Sequence, residues 1–259
     1  MKKDKIIFLD VDGTIFDNKK GVIHQSTIEG IKAIHDKGEA LIFIATGRAP
    51  NMLEHLNIIK PYISGYVLLN GQYVIHQEEV VYNTPIDSNG IKQLQEFAKS
   101  ENIPLGVVGL KNANVTFIDI NVEASFRDYQ IKPFSLGPFG FDFLVYQAWF
   151  FGNEELINKA RKKIPDFKFL NWGTRGCDII IKNTSKAVGV ELLIKKFEID
   201  HEQTYAFGDA NNDIEMIQKV RHSVAMGNAT SELKLASSHI TKNIDEDGLY
   251  EAFKHFKLI

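Results

Sequence analysis

Two aspartates, Asp10 and Asp12, stand two positions apart at the point where an apolar run ends at Gly13. The run at residues 6–9, Ile-Ile-Phe-Leu, is typical of a strand that is buried on both faces. Carboxylates at this spacing lie on the same side of an extended chain and repel one another strongly in a dry site. A divalent metal ion between the two carboxylates would offset this repulsion most simply. The alternative is an ordinary polar turn after a strand, because Asp and Gly are both common in turns.

Three further apolar runs end in the same way, in small and polar residues. They are 40–45, followed by Thr46-Gly47-Arg48; 66–69, followed by Asn70-Gly71; and 204–207, followed by Gly208-Asp209-Ala210-Asn211-Asn212-Asp213. Open parallel α/β sheets present their ligand-binding groups at the carboxyl ends of such strands. The sequence therefore predicts an α/β fold with a parallel sheet, and one edge of that sheet gathers these polar residues.

The segments between these runs predict helices. Isoleucines at positions 28, 31 and 34 indicate a helix that Gly38 ends and that Ser26 or Thr27 caps. This helix joins the first two strands into a βαβ unit, which favours parallel pairing. We also expect a short helix over residues 52–59, after Pro50. In the last part of the chain, Ser185 is the expected N-cap of a helix that carries Lys186 in its first turn.

The pattern changes between about residues 83 and 183. Helical periodicity near residues 91–98, 122–129 and 154–163 is interspersed with strand-like stretches at 105–108, 115–120, 144–151, 167–172 and 178–181. Such a mixture is typical of an α+β domain with its own antiparallel sheet. The sequence therefore predicts a core domain of residues 1–82 and 184–259, interrupted by an inserted α+β domain of residues 83–183.

Composition narrows the possible functions. The 259 residues are 44% hydrophobic and 24% charged, which is ordinary for a globular protein. The net charge of -3 offers no basic footprint for nucleic acid or for an anionic membrane. The single cysteine, Cys177, excludes an internal disulfide and suits a reducing compartment. No apolar run is long enough to span a bilayer, so we expect a cytoplasmic protein without a nucleic-acid or membrane partner.

Four motifs resemble, in order, those of the haloacid dehalogenase-like phosphatase superfamily. They are Asp10-Val11-Asp12-Gly13-Thr14, Thr46-Gly47-Arg48, Lys186 within Thr184-Ser185-Lys186, and Gly208-Asp209 through Asn212-Asp213. The insert between the second and third motifs resembles the type 2 cap of the Cof-like branch. The resemblance implies a Rossmann-like parallel-sheet core with an inserted cap domain. It also implies a Mg²⁺-dependent phosphatase that acts on a small phosphorylated metabolite.

The resemblance also implies roles for individual residues. Asp10 would be the nucleophile that forms an aspartyl-phosphate, and Asp12 would be the general acid and base. Mg²⁺ would be held by Asp10, by Asp209 and by the backbone carbonyl of Asp12, which suits its preference for hard oxygen ligands. Asp213 would fix the metal-bound waters or Lys186.

The remaining matched residues would bind the substrate. Those expected at the phosphate are Thr46, Lys186 and Asn212, and those expected nearer its organic part are Gly47, Arg48 and Asn70. Sugar phosphates are the first expectation for the substrate, followed by phosphorylated vitamins such as pyridoxal phosphate or flavin mononucleotide. The aromatic stretch 134–151 should fill the core of the inserted domain, although residues 139–141, Phe-Gly-Phe, could instead reach toward the substrate.

Two other functions stay open at this point. A phosphomutase could use the same aspartyl-phosphate and return the phosphoryl group to a sugar. A sensor could bind a phosphorylated metabolite or a protein partner without turnover, although every expected catalytic residue is present in the sequence. The sequence gives no indication of the oligomeric state.

Overall fold

The computed structural model of the chain describes residues 3–128, 135–136, 142–172 and 175–259. Its strands are β1 Lys5–Leu9, β2 Phe16–Asp17, β3 Val22–Ile23, β4 Ala40–Ala45, β5 Gly65–Leu68, β6 Tyr73–His76, β7 Glu79–Asn83, β8 Leu105–Val108, β9 Ala113–Val115, β10 Ser135–Leu136, β11 Gln147–Phe151, β12 Phe167–Asn171, β13 Gly176–Ile181, β14 Thr204–Gly208, β15 His222–Ala225 and β16 His239–Ile240. Its α-helices are α1 Gln25–Lys37, α2 Ser88–Glu101, α3 Ile120–Asp128, α4 Glu154–Lys163, α5 Lys186–Phe197, α6 Ile214–Ile217, α7 Ser231–Ala236 and α8 Gly248–His255. Within these described ranges, no helix combines the length and the apolar character that crossing a membrane requires.

Contacts between residues divide the chain into two compact units. The first unit comprises Met1–Thr46, Glu54–Asn83 and Ser185–Ile259, and the second comprises Gly47–Leu53 and Thr84–Thr184. The boundaries therefore fall at 83/84 and 184/185, where the sequence suggested 82/83 and 183/184. The short segment Gly47–Leu53, which follows the second strand of the core, groups with the second unit.

The first unit is built on an eight-stranded sheet with the order β16-β15-β14-β1-β4-β5-β6-β7. The six strands from β16 to β5 pair in parallel, with β1 between β14 and β4. Counted along the chain, these six parallel strands have the order 3-2-1-4-5-6 of the doubly wound fold, which reverses direction beside the first strand. The α/β class predicted from the sequence is confirmed.

The central strands are apolar because helices cover the sheet. All six residues of β4 are buried, and residues 6–9 of β1 have no exposed surface. Helix α1 packs against α8 and β4, while α5 and α7 both pack against α6. Burial on both faces accounts for the continuous apolar runs in the sequence.

Strands β6 and β7, which the sequence analysis did not identify, extend the sheet by antiparallel pairing. Two local expectations for the first unit are wrong. The helix expected over residues 52–59 does not form, and the chain makes short 3₁₀ turns at Pro50–Met52 and Glu54–Leu56 instead. So short a segment gains little from α-helical hydrogen bonds alone. Helix α1 begins after His24, and Ser26 is used elsewhere: its hydroxyl donates to Asp247. Its predicted end is confirmed, since Gly38 adopts φ 72° at the C-cap.

The second unit has its own sheet with the order β10-β9-β8-β11-β13-β12. Its pairings are antiparallel except between β10 and β9. Side chains of α2 and α4, such as Phe97 and Ile157, pack with Phe150 of β11 in one apolar core. The aromatic residues of β11 therefore contribute to the core as expected, whereas residues 139–141 lie outside the described part of the chain.

One expected strand in this unit is wrong over most of its length. The strand predicted at 115–120 is β9, which ends at Val115, and Ile120 already belongs to α3. The cause is Asp119, whose carboxylate accepts hydrogen bonds from the amides of Asn121 at 3.0 Å and Val122 at 2.9 Å. This side chain satisfies the first free amides of the helix, so the chain turns into α3 there.

Thr204 offers a test of how β14 is anchored. Its buried hydroxyl donates to His201 O at 2.6 Å and accepts from the amide of Arg221 at 2.9 Å. We expect Thr204→Val to lower the free energy of unfolding by about 1–3 kcal/mol, because the amide of Arg221 loses its partner in a partly buried place. Thr204→Ser keeps the hydroxyl and should cost less. Urea denaturation of both variants checks this, and a cost for Val no greater than that for Ser would show that the hydrogen bonds of the hydroxyl do not anchor β14.

Candidate active site

The two strand ends on either side of the reversal point bring acidic residues together. Asp10 follows β1 and Asp209 follows β14, and these neighbouring strands pair in register at Leu9 and Phe207. The amide of Asp10 donates to Phe207 O at 3.0 Å, which continues the pairing past the end of β1. Ligands of open α/β sheets bind in the crevice outside this point.

Lys186, the first residue of α5, is a buried cation between two carboxylates. Its Nζ donates to Asp10 Oδ1 and to Asp213 Oδ1, each at 2.6 Å, and only 1% of Lys186 is exposed. Ser185 holds the N-cap position of α5 as predicted, without a side-chain hydrogen bond to the helix. The start of this helix thus points a fixed positive charge at Asp10.

Asp213 is fully buried and uses both carboxylate oxygens within the protein. Oδ1 accepts from Lys186, and Oδ2 accepts from the amides of Asp209 and Ala210, each at 3.1 Å. Asp213 therefore fixes the ammonium group of Lys186 and also the loop that carries Asp209.

Asp209 differs from Asp10 and Asp213 in its hydrogen bonds within the described residues. Its Oδ1 is buried and has no hydrogen-bond partner among the described residues. The backbone of Gly13 lies against the same carboxylate: a Cβ added there would stand 2.1 Å from Asp209 Oδ2. Gly13 also has φ 82°, a conformation that other residues rarely adopt. The turn after Asp12 can thus approach Asp209 only because residue 13 has no side chain.

The cluster contains more negative than positive charge. Burial, followed by the charge of Asp213, raises the pKa of Asp10 to about 7, although Lys186 opposes this. Burial, followed by the charge of Asp10, raises the pKa of Asp209 to about 9. Burial alone would lower the pKa of Lys186, but the charges of Asp10 and Asp213 outweigh it and raise this pKa. Asp10 and Asp209 are therefore short of a stabilising positive charge.

The donor set fits a hard divalent cation. One carboxylate oxygen from each of Asp10, Asp209 and Asp213 lies within 4.8 Å of the others. Because Asp213 already accepts three hydrogen bonds, Asp10 and the unpartnered oxygen of Asp209 are the side-chain groups best able to bind a metal. An ion there would supply the missing positive charge, and oxygen-only coordination suits Mg²⁺ or Ca²⁺.

The remaining predicted residues of the first unit lie at the same sheet edge. Thr46 follows β4, is 1% exposed, and its backbone accepts from the amide of Asn70 at 3.1 Å. The side chain of Asn70, which has φ 53°, accepts from Asn212 Nδ2 at 3.3 Å. Asp12 lies at the turn after β1, where its backbone forms an isolated β-bridge with Phe16. Gly47 and Arg48 belong to the second unit, so their roles stay predictions.

The sequence reasoning missed Asn228 as a site residue. Its Nδ2 donates to Gly13 O at 2.9 Å, and its Oδ1 accepts from the amide of Ile244 at 2.9 Å. A signal was present, since Gly227-Asn228 follows the apolar strand β15 just as the other motifs follow their strands.

Comparison with known proteins agrees with this arrangement. A model of the haloacid dehalogenase-like hydrolase family matches residues 7–253. The chain belongs to the haloacid dehalogenase-like hydrolases. The resemblance read from the four motifs is thereby confirmed.

Relatives within the family are similar to this chain in sequence and in fold. The putative phosphatase YkrA of Bacillus subtilis (strain 168) is 31% identical over 265 residues, which cover 98% of each chain. The structure of BT4131, described as a sugar phosphatase of subclass IIB of the superfamily, is 33% identical with a TM-score of 0.91, covering 98% of this chain and 100% of that one. A structure reported for a trigonal-bipyramidal intermediate in a phosphoryl-transfer superfamily is 32% identical with a TM-score of 0.92, covering both chains fully. The chain is thus a hydrolase of the phosphatase type, and the predicted enzyme class is confirmed.

Replacing Lys186 tests how strongly the ion cluster holds the fold. We expect Lys186→Met to lower the free energy of unfolding by about 3–5 kcal/mol, because it leaves two buried carboxylates without their cation. Lys196→Met is the matched control on the same helix: Lys196 pairs with Glu79 at the surface, and its loss should change little. Urea denaturation in the presence of EDTA measures both. Equal midpoints for the two variants would show that the buried pairs do not stabilise the fold.

Proposed function

We propose that the protein is a Mg²⁺-dependent phosphatase that hydrolyses a small phosphorylated metabolite, a sugar phosphate, through an aspartyl-phosphate on Asp10. The observation that carries the proposal is the Asp10 carboxylate at the reversal point of the sheet, 2.6 Å from the buried ammonium group of Lys186. Phosphate monoesters repel a carboxylate, so an attacking carboxylate needs positive charge beside it. Membership of a hydrolase family supports the same chemistry.

In the first step, the Asp10 carboxylate attacks the phosphorus atom. A bond forms between phosphorus and the Asp10 oxygen, and the bond from phosphorus to the ester oxygen breaks. Asp12 donates its proton to that leaving oxygen, so the alcohol departs neutral. The backbone amide of Thr46 already donates to Val67 O at 2.9 Å, so it is the hydroxyl of Thr46 that holds the transferred phosphoryl group together with Lys186. Asn212 hydrogen-bonds to the same group.

In the second step, Asp12 acts as a carboxylate. It takes a proton from a water molecule whose oxygen attacks the phosphorus. The bond from phosphorus to Asp10 then breaks, which releases inorganic phosphate and restores both aspartates. The covalent step thus divides one difficult displacement into two easier ones.

The metal ligands in this proposal are Asp10, Asp209 and the backbone carbonyl of Asp12. When bound, Mg²⁺ supplies positive charge that neutralises the phosphate oxygens. The same charge favours the ionised form of Asp10, whose pKa is raised to about 7 by burial without it. Asp213 keeps Lys186 and the Asp209 loop in place.

The substrate class rests on the comparison with BT4131, which is described as a sugar phosphatase and is 33% identical. The second compact unit, which includes Thr84–Thr184, serves in this proposal as the cap domain that excludes bulky substrates and water. Gly47, Arg48 and Asn70 then lie toward the organic part of the substrate.

Release of inorganic phosphate tests the mechanism. We expect activity with Mg²⁺, loss of activity with EDTA and recovery when Mg²⁺ is restored. Asp10→Asn should lower kcat by about 10³-fold or more, because the amide cannot act as the nucleophile. Lys196→Met, a surface change on α5, should retain full activity. Unaltered turnover in Asp10→Asn would refute Asp10 as the nucleophile.

A substrate panel tests the proposed class. The panel contains hexose and pentose phosphates, pyridoxal phosphate and flavin mononucleotide at equal concentrations. We expect kcat/KM to be about tenfold or more higher for a sugar phosphate than for either vitamin, because a site built to hydrogen-bond the hydroxyls of one substrate rejects compounds that cannot make those bonds. Products are followed both as inorganic phosphate and as isomers. An isomerised sugar phosphate as the main product would identify a phosphomutase instead.

A further inference from the structure

We propose that Asn228 is a positioning residue of the active site, which holds the Asp12–Gly13 turn against Asp209 by joining Gly13 to Ile244. This inference rests on the proposed function, since it concerns the metal ligands named there. Asn228 contacts neither Asp10 nor Lys186 in the described hydrogen bonds and would act through the backbone of Gly13.

The amide of Asn228 makes two bonds of opposite kind. Its Nδ2 donates to a carbonyl, Gly13 O, while its Oδ1 accepts from an amide, Ile244 N, both at 2.9 Å. Because the amide nitrogen of Asn228 can only donate and its amide oxygen can only accept, these two partners fix the orientation of the side chain. Gly13 lies 215 positions away in the sequence, so the side chain ties the first turn of the core to the last part of the chain.

The support beneath Asn228 is itself well anchored. The amide of Met226 donates to Gly208 O at 3.0 Å, and the amide of Gly227 donates to Lys242 O at 2.9 Å. Ile244 begins a 3₁₀ turn and is 8% exposed. Two backbone segments held in this way provide a fixed base from which one side chain can hold a turn.

The turn that Asn228 holds lies directly on a proposed metal ligand. A Cβ on Gly13 would stand 2.1 Å from Asp209 Oδ2, so the Gly13 backbone and this carboxylate are already in close contact. The amide of Gly13 donates to Phe16 O at 2.9 Å, which leaves its carbonyl to Asn228. Movement of the Gly13 carbonyl would therefore move the Asp12–Gly13 peptide, whose carbonyl is the third proposed ligand. Groups that orient metal ligands in this way contribute to metal affinity.

Asn228→Ala and Asn228→Asp separate this role from a purely structural one. Asn228→Ala loses both bonds. Asn228→Asp retains an acceptor for Ile244 but faces the Gly13 carbonyl with an oxygen. An added negative charge by itself would strengthen Mg²⁺ binding, whereas a displaced turn weakens it, so the two effects on Asn228→Asp have opposite signs.

We expect both variants to bind Mg²⁺ about two- to tenfold more weakly than the wild type, the range that a lost hydrogen bond predicts. The measurement is calorimetric titration of the metal-free protein with MgCl₂, accompanied by thermal unfolding in EDTA. For the sugar phosphate that the wild type hydrolyses, kcat at subsaturating Mg²⁺ should fall while KM changes little. Ser26→Ala is the control, because it removes a hydrogen bond to Asp247, near Ile244, without touching Gly13.

The outcomes are distinct. A lower unfolding temperature in EDTA with unchanged Mg²⁺ affinity, or tighter binding in Asn228→Asp, would overturn the positioning role and leave the proposed function standing. An equal loss of affinity in Ser26→Ala would overturn it as well. Wild-type protein that neither binds Mg²⁺ nor releases phosphate would overturn the proposed function and this inference with it. If Asn228→Ala does not fold, Asn228→Asp decides alone, since it keeps the bond to Ile244.

Discussion

The buried ammonium group of Lys186, held between Asp10 and Asp213, is the interaction on which the rest of this site depends. Burial of Asp10 and Asp213 beside the partly buried Asp209 is costly, and one cation at 2.6 Å from two of these carboxylates offsets only part of that cost. The shortage of stabilising partners is seen at Asp209, whose buried Oδ1 has no hydrogen-bond partner among the described residues. A crevice with this imbalance favours ligands that bring positive charge, and its lysine favours an anionic group beside Asp10.

The topology of the sheet explains how residues that are far apart in the sequence come to lie together. Asp10 and Lys186 are separated by 176 positions, yet β1 lies at the centre of the parallel strands and α5 begins at the same edge. An insertion of about a hundred residues can therefore enter between β7 and α5 without disturbing the pairing of β1 with β14 and β4. The insertion leaves the first unit after Asn83 and the chain returns to that unit at Ser185.

The sequence could predict an element or a site residue where a pattern of neighbouring residues determines it, and could not where a distant contact does. The buried strands β1 and β4 were readable because helices cover both of their faces, and Asp10, Asp209 and Lys186 were readable because each directly follows a strand or opens a helix. Strands β6 and β7 were missed because they are half exposed and pair antiparallel at the edge of the sheet. The helix start at Asp119 and the role of Asn228 depend on particular hydrogen bonds. For Asn228 the partner lies 215 positions away, where no periodicity could indicate it.

The carboxylates of Asp10, Asp209 and Asp213 are chemically identical and differ in their hydrogen-bond partners and close contacts. Asp213 accepts three hydrogen bonds, so it has little capacity left for a ligand and acts as a fixed anchor for Lys186 and the Asp209 loop. Asp10 accepts from Lys186 through Oδ1, which leaves its carboxylate oriented at the end of β1. Asp209 lies against the Gly13 backbone at Oδ2, and its Oδ1 has no hydrogen-bond partner in the described part of the chain, so an incoming cation would gain most from binding there. The roles proposed for Asp213 as anchor, Asp10 as nucleophile and Asp209 as metal ligand thus agree with how far the hydrogen bonds of each carboxylate are satisfied, which the amino-acid types alone do not specify.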